Sequence, residues 1–194
     1  MNPIEDLIIG FQELVAQVPE LLQPFIVMLA GMIPFIEGEG GSAIGIVGGI
    51  HPLIAAIAAA AGNFLAVLAV VLLTSRTRDA VVARRGRAAA DAQATQDGAV
   101  LTLEGDEGTA AAPAAPAKPE SKGRKRFQRW LVRFGVPGAS LLGPLAIPTH
   151  FTAATLVASG VARGWVLLWQ SIAIVLWTTI VTVPLWLVIS AVVG

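Results

Sequence analysis

Residues 32–45 read MIPFIEGEGGSAIG. This stretch places two acids, Glu37 and Glu39, inside a long apolar run with no basic residue near them. A charge at the centre of a bilayer costs about 3 kcal/mol on insertion scales. Proline and glycine around the acids also weaken a continuous helix. The fold of this chain therefore depends on how the stretch is accommodated.

The composition indicates an integral membrane protein. Of the 194 residues, 55% are hydrophobic and only 13% are charged, whereas soluble domains carry roughly 25% charged residues. The chain has no cysteine, which excludes disulfides and thiolate metal sites. Its start shows no basic segment followed by a small-residue cleavage site, so we expect no cleaved signal peptide. The predicted fold class is an all-α integral membrane protein.

The first half of the chain predicts three elements. Residues 1–22 mix acidic and apolar positions, as in an amphipathic helix at a membrane interface. In the segment 23–74, residues 24–36 would form a helix of about 20 Å, too short for a hydrocarbon core of about 30 Å. Together with residues 43–50 they favour a re-entrant hairpin with the acids at its polar turn. The alternative is one long helix over 24–50 that buries the acids.

A spanning helix and a polar linker are predicted next. Residues 51–74 have no formal charge and suit a transmembrane helix that starts at Pro52. Residues 75–123 are first basic and then rich in alanine and proline, which is typical of a linker without a packed core.

The second half, 124–194, repeats the pattern of the first. It opens on the basic amphipathic stretch RKRFQRWLVRF, residues 124–134. Residues 136–162 are uncharged and interrupted by three prolines, so they predict a second re-entrant hairpin. The apolar run 165–194 is long enough to span the membrane.

The charges predict one orientation for both halves. Residues 75–135 hold 12 basic and 7 acidic residues, so the linker should be cytoplasmic. The two hairpins then enter from opposite sides, and the halves have inverted topology, as in transporters built from inverted repeats. We therefore expect a multi-pass protein of the inner or plasma membrane of a prokaryote.

Six polar residues are the candidate proton- and substrate-binding residues: Glu37, Glu39, Asn63, Thr149, His150 and Thr152. Two neighbouring carboxylates repel each other, so one of them is expected to hold a proton near neutral pH. This pattern indicates proton or cation coupling, and the alternative is that the acids are only solvated in a water-filled vestibule.

The other candidates also have two interpretations. His150 can relay protons to the acids or can bond to a backbone carbonyl that Pro148 leaves free. Asn63 can contact a ligand or form an interhelical hydrogen bond. A metal site is not expected, because the His and Glu residues show no ligand spacing, and we expect no cofactor.

Arg129, Arg133 and Arg163 are candidate ligands of lipid headgroups, with Arg163 equally able to snorkel to the interface. The expected partners are membrane lipids, protons and a small-molecule or lipid substrate, and nucleic acid is not expected. The glycine-rich faces and small size favour a homodimer. The chain shows no nucleophile elbow, phosphate-binding loop or zinc-protease motif, so it is not expected to be an enzyme.

Two stretches carry a family resemblance: PFIEGEGGSAIGI at 34–46 and RFGVPGASLLGPLAIPTHFTAATLVASG at 133–160. They resemble the small multidrug export proteins, which are short relatives of the DedA family. Pro34 and Glu37 match the Pro-x-x-Glu of the first hairpin of that family. Where the family carries arginine before glycine, this chain has Glu39 before Gly40.

The resemblance implies two facing re-entrant hairpins and a proton-coupled transporter or lipid carrier. An acid in place of the arginine removes a partner for phosphate and favours a small cationic or amphipathic substrate. The leading hypothesis is a transporter that binds substrate between the two hairpin tips at mid-membrane. Two alternatives stay open: a flippase or scramblase for anionic carrier lipids such as polyprenyl phosphate, and a non-transporting membrane scaffold.

Overall fold

The computed structural model describes residues 3–100 and 135–193, with side chains described for 3–91 and 135–192. Within these residues the chain is all-α and contains no strand, which confirms the all-α part of the predicted class. The helices in chain order are α1 (Pro3–Gln17), α2 (Gln23–Gly31), α3 (Glu37–Val47), α4 (Pro52–Val100), α5 (described over 135–142), α6 (Thr149–Ala158) and α7 (Arg163–Val193). A short 3-10 turn, Gly143–Leu145, follows α5.

The segment 24–50 folds as two short helices, so the alternative of one long helix is wrong. Residues 32–36 form the break, and Pro34 lies within it. The acids, however, do not lie in the turn: Glu37 and Glu39 occupy the first turn of α3. The position is favourable, because a helix N-terminus attracts negative charge. Glycines such as Gly41, which lies against Gly31 of α2, let the two helices approach closely.

The second half contains a comparable break. After the 3-10 turn, Pro148 takes an extended conformation (φ −50°, ψ 145°) and α6 begins at Thr149. His150 therefore lies in the first turn of α6, as Glu37 and Glu39 lie in the first turn of α3.

Helix α4 is longer than the predicted span 51–74, because it continues through the basic stretch to Val100. Residues 75–100 contain many alanines and arginines and no proline, and both residue types favour helix. The boundary that we predicted at residue 75 is therefore not an end of secondary structure. The remainder of the predicted linker and the basic stretch 124–134 lie outside the described residues.

Two helices are long and apolar enough to cross a membrane, over Pro52–Asp91 and Arg163–Val192. Only 28% and 22% of their most apolar windows are buried inside the fold. Most apolar side chains there face outward, whereas the core helix of a soluble protein buries them. The described residues are thus compatible with an α-helical membrane protein.

Helix α1 lies within residues 1–22, where an amphipathic helix is predicted, and ends at Gln17. Val15 is fully buried, and Ile8 and Phe11 pack against the core that Val15 joins. Leu7 and Leu14 are exposed by 42% and 46%.

Each half of the chain contributes one apolar cluster. The first is formed by α1, α2, α3 and the start of α4, and includes Val27 and Ala59. The second is formed by the middle of α4 with α5, α6 and α7, and includes Val67 and Ile174. The later part of α7 returns to the first cluster, where Leu185 packs. Helices α4 and α7 therefore run in opposite directions between the two clusters.

Close backbone contact fixes α2 against α4. A Cβ at Gly31 would overlap the Ala59 carbonyl, and a Cβ at Gly62 would overlap the Met28 carbonyl. Small residues at such crossings are typical of helix packing in membranes, where van der Waals contact drives association. This crossing holds Asn63, the neighbour of Gly62, at 0% exposure inside the fold.

Candidate functional site

The break before α3 has an unusual backbone. Phe35 (φ 75°) and Glu37 (φ 52°) both adopt the left-handed region, although neither is glycine. Each such residue costs on the order of 1–3 kcal/mol and persists only where its surroundings enforce it. The Phe35 ring packs against the ring of Phe151 at 6.5 Å between centroids. The Glu37 side chain is held from the second half of the chain, as the next contacts show.

The Glu37 carboxylate caps helix α6. Its Oε1 accepts hydrogen bonds from the backbone N–H of Thr149 and from Thr149 Oγ1, each at 2.7 Å. The residue at the N-cap of α6 is Pro148, whose side chain has no acceptor. The first N–H groups of a helix have no partner within the helix. An acid more than a hundred residues away in the sequence supplies the acceptor that an N-cap side chain usually provides.

His150 completes the contacts of Glu37. Its Nδ1 lies 3.2 Å from Glu37 Oε1, and both side chains are buried, with 6% and 8% exposure. Its Nε2 is also buried and has no hydrogen-bond partner in the described part of the chain. With the proton of the imidazole assigned to Nδ1, three donors surround one oxygen and offset much of the cost of burying a carboxylate. The imidazole thus contacts the carboxylate through Nδ1, and its Nε2 lies buried inside the fold.

Asn63 extends this network through Thr149. Thr149 Oγ1 lies 3.1 Å from Asn63 Oδ1, but the hydroxyl has one proton and gives it to the nearer Glu37 carboxylate. Asn63 Nδ2 is buried without a partner among the described residues. Exchanging the amide O and N positions lets Nδ2 donate to Thr149 Oγ1. The consistent order of donors then runs from Asn63 to Thr149 to Glu37.

A cavity of about 440 Å³ opens beside this network. Glu37 and Glu39 both line it, together with Phe35, Trp177 and the loop that precedes α6. None of the lining residues that the structure describes is lysine or arginine. Trp177 is oriented by a hydrogen bond from its Nε1 to the carbonyl of Leu141, at 2.9 Å. The cavity thus combines two acids with an aromatic wall.

The structure brings four of the six candidate residues into one network: Glu37, Asn63, Thr149 and His150. Glu39 lies beside them on the cavity wall. Thr152 is one turn further along α6, where its Oγ1 faces the Pro148 carbonyl at 3.4 Å and not the acids. The position of Glu37 is thus set by its contacts with Thr149 and His150 more than by repulsion from Glu39.

The headgroup candidates lie elsewhere. Arg163 is exposed at the first position of α7, and Trp177 follows 14 residues later in the same helix. This separation corresponds to about 21 Å along the axis. Arg129 and Arg133 lie outside the described residues. A role for the three arginines at lipid headgroups stays a prediction.

Sequence reasoning missed several polar and aromatic residues of α3 and α7. Trp177 was not singled out, although it forms a wall of the cavity. Ser42, Thr178 and Thr182 are buried at 0%, 2% and 6% exposure. The spacing of four residues from Thr178 to Thr182, in a helix that has no charge after Arg163, was the available signal.

No group of three or more His, Asp or Glu side chains in the described residues has a geometry suited to a metal ion. Comparison of the chain with protein-family models, curated proteins and solved structures gives no match. The functional argument therefore depends on the site itself.

Proposed function

We propose that this protein is an integral membrane transporter that exchanges an organic cation for protons at the Glu37–Glu39 cavity. The observation that carries the proposal is the cavity, which has two carboxylates, an indole wall and no basic side chain among its described lining residues. Carboxylates attract a cation electrostatically, and Trp177 adds a cation–π surface. The resemblance to the small multidrug export and DedA proteins supports the same transporter class.

The helix lengths support an arrangement in the membrane. Helices α2 and α3, with 9 and 11 residues, reach about 14 and 17 Å, so neither crosses a core of about 30 Å. We place the α2–α3 and α5–α6 pairs as re-entrant hairpins, and α4 and α7 as the spans. The opposite directions of α4 and α7 agree with inverted halves, and the basic linker 75–123 is placed on the cytoplasmic side.

The contacts of Glu37 give the exchange a physical basis. In the resting site, Glu37 Oε1 accepts two hydrogen bonds from Thr149, and His150 Nδ1 lies 3.2 Å from the same oxygen. A cation and a proton compete for the same two carboxylates, so binding of either lowers the affinity for the other by the same factor. His150 Nδ1 lies 3.2 Å from Glu37, within reach to exchange a proton with its carboxylate.

Ethidium, an aromatic monovalent cation, is a suitable probe in proteoliposomes with an imposed pH gradient. Glu37→Gln and Glu39→Gln each remove one negative charge from the cavity with little change in shape. A lost charged contact of about 1.5–3 kcal/mol corresponds to roughly 10–100-fold weaker binding or transport. Glu20→Gln removes an exposed acid between α1 and α2 and is the matched control. Transport that is equal in all three variants and wild type would reject the proposal.

The cavity does not favour an anionic lipid as substrate. A phosphate would meet two carboxylates, and the N-terminus of α6 already binds Glu37. Arg163 lies about 21 Å along α7 from Trp177. The same proteoliposomes, loaded with a polyprenyl phosphate, distinguish this alternative: flipping that is unaffected by Glu37→Gln but lost in Arg163→Ala would support it.

A further inference from the structure

Helices α3 and α7 pack side by side in the same direction. Gly38, next to Glu37, lies directly against Thr178, and there is no room for a Cβ between them. Eight residues later on each helix, Ile46 and Trp186 line a common second cavity of about 470 Å³. The two helices are therefore parallel and in constant register over this length. By this register, Ser42 of α3 and Thr182 of α7 lie at the same level, halfway between these two points.

We call the line of contact between α3 and α7, from Gly38 and Thr178 to Ile46 and Trp186, the seam. The hydroxyls of Thr178 and Thr182 on this seam differ from other hydroxyls of α7. Ser171 and Thr179 of α7 each donate to the carbonyl four residues earlier, at 2.7 Å. This is the usual way in which a helical hydroxyl is satisfied in an apolar environment. Thr178 and Thr182 are buried, but their Oγ1 atoms have no such bond and no other partner in the described residues. A buried hydroxyl without a partner costs about 1–3 kcal/mol.

The seam has a polar site at each end. At one end, Thr178 adjoins Gly38 and therefore the Glu37 network. At the other end, the second cavity is lined by Ser190 of α7 and by His51, which is exposed. The distance from Thr178 to Ser190 is about 18 Å along α7. Ser42 donates to the Glu39 carbonyl at 2.9 Å, and its oxygen remains able to accept.

We propose that Ser42, Thr178 and Thr182 bind a file of water molecules that joins the Glu37 site to the cavity at His51, and that protons reach Glu37 by this route. A buried water needs two to four polar partners, and each water in a file has its two neighbours and, beside Ser42, Thr178 or Thr182, one hydroxyl. The claim that protons move along the file rests on the proposed function, whereas the claim that water fills the seam does not. The route gives Glu37 a connection to His51 that is separate from the substrate cavity.

The absence of cysteine from the chain allows a direct test of hydration. Thr178→Cys and Thr182→Cys place a thiol of similar size in the seam. Ile174→Cys is the matched control, since Ile174 is buried on the same helix one turn earlier, within the second apolar cluster. The probe is the silver ion, which binds thiols and is small enough to follow a file of water molecules. A thiol in a dry apolar site stays protonated and reacts slowly.

We expect both seam cysteines to react about tenfold faster or more than the control cysteine. The reaction should require reagent on the side where His51 opens. Seam cysteines that react no faster than Ile174→Cys, in protein that elutes and melts like wild type, would overturn the proposal.

A second measurement uses transport and keeps the two proposals separable. Thr182→Val should slow the proton flux that accompanies ethidium, with ethidium affinity unchanged, whereas Thr179→Val, whose hydroxyl bonds its own helix, should behave as wild type. Transport lost in Glu37→Gln but normal in Thr182→Val would refute the route and leave the proposed function intact. Reactive seam cysteines with full transport in Glu37→Gln would support the hydrated seam and refute the proposed function.

Discussion

Replacing Thr149 by valine tests the contact between the two halves of the chain. Valine has nearly the shape of threonine but lacks the hydroxyl that donates to Glu37 at 2.7 Å and contacts Asn63 at 3.1 Å. The backbone N–H of residue 149 still donates to Glu37 in the variant. The substitution therefore removes one hydrogen bond to a buried carboxylate and the contact with Asn63, and leaves the backbone cap in place.

The structure sets the size of the effect. A hydrogen bond to a charged group contributes about 1.5–3 kcal/mol, and we expect Thr149→Val to cost about 2 kcal/mol. For a chain of this length, that loss lowers the melting temperature by about 4–8 °C. Bonds to charged groups are roughly twice as strong as neutral ones. In the Glu37→Gln background the same substitution should therefore cost about half as much.

Thermal unfolding in detergent, followed by the fluorescence of the five tryptophans, measures both values. Thr155→Val is the control on the same helix, since its exposed hydroxyl donates to the carbonyl of Phe151. This control should change stability by no more than about 0.5 kcal/mol. A shift for Thr149→Val no larger than that of the control would refute the contact. An equal shift with and without Glu37→Gln would refute an ionised carboxylate.

Two further predictions concern the packing that holds the site. Gly62→Ala should lower stability by about 1–3 kcal/mol, because a Cβ overlaps the Met28 carbonyl. Gly10→Ala, which has open space around it, should raise stability by up to about 1 kcal/mol. The melting temperatures of the two variants should therefore move in opposite directions, and shifts in the same direction would contradict the α2–α4 crossing. Trp177→Phe removes the hydrogen bond to the Leu141 carbonyl and should lower stability by about 1 kcal/mol. The melting temperature should fall by about 2–4 °C. An unchanged melting temperature would show that this bond does not hold α7 to α5.

The candidate site could be predicted in part from local chemistry. Acids in an apolar run are costly unless they have a function, which singled out Glu37 and Glu39. His150 and Thr149 stood out because they follow prolines in an uncharged segment. Their contact with Glu37 could not be derived from either segment, because it depends on the packing of α6 against α4 and α7.

Where residues were missed, the local signal was weak. Trp177 lies in an apolar helix that holds other tryptophans, and nothing local distinguishes the one that lines a cavity. Threonine in a membrane helix usually bonds its own backbone, so the four-residue spacing of Thr178 and Thr182 was only a weak signal. Only the approach of α3, made possible by Gly38, shows that their hydroxyls face a seam.

The sequence by itself determined the helical class, the two apolar helices and the break at Pro34, because hydropathy and proline act locally along the chain. The continuation of α4 past residue 75 also follows from local composition, because its alanines and arginines favour helix. Tertiary packing decided that glycine-rich α3 is helical, because close contact with α2 and α4 stabilises it. The pairing of Glu37 with Thr149 and His150 was decided by tertiary structure alone. A carboxylate buried at one break needs donors, and the uncapped N-terminus of α6 at the other break supplies them.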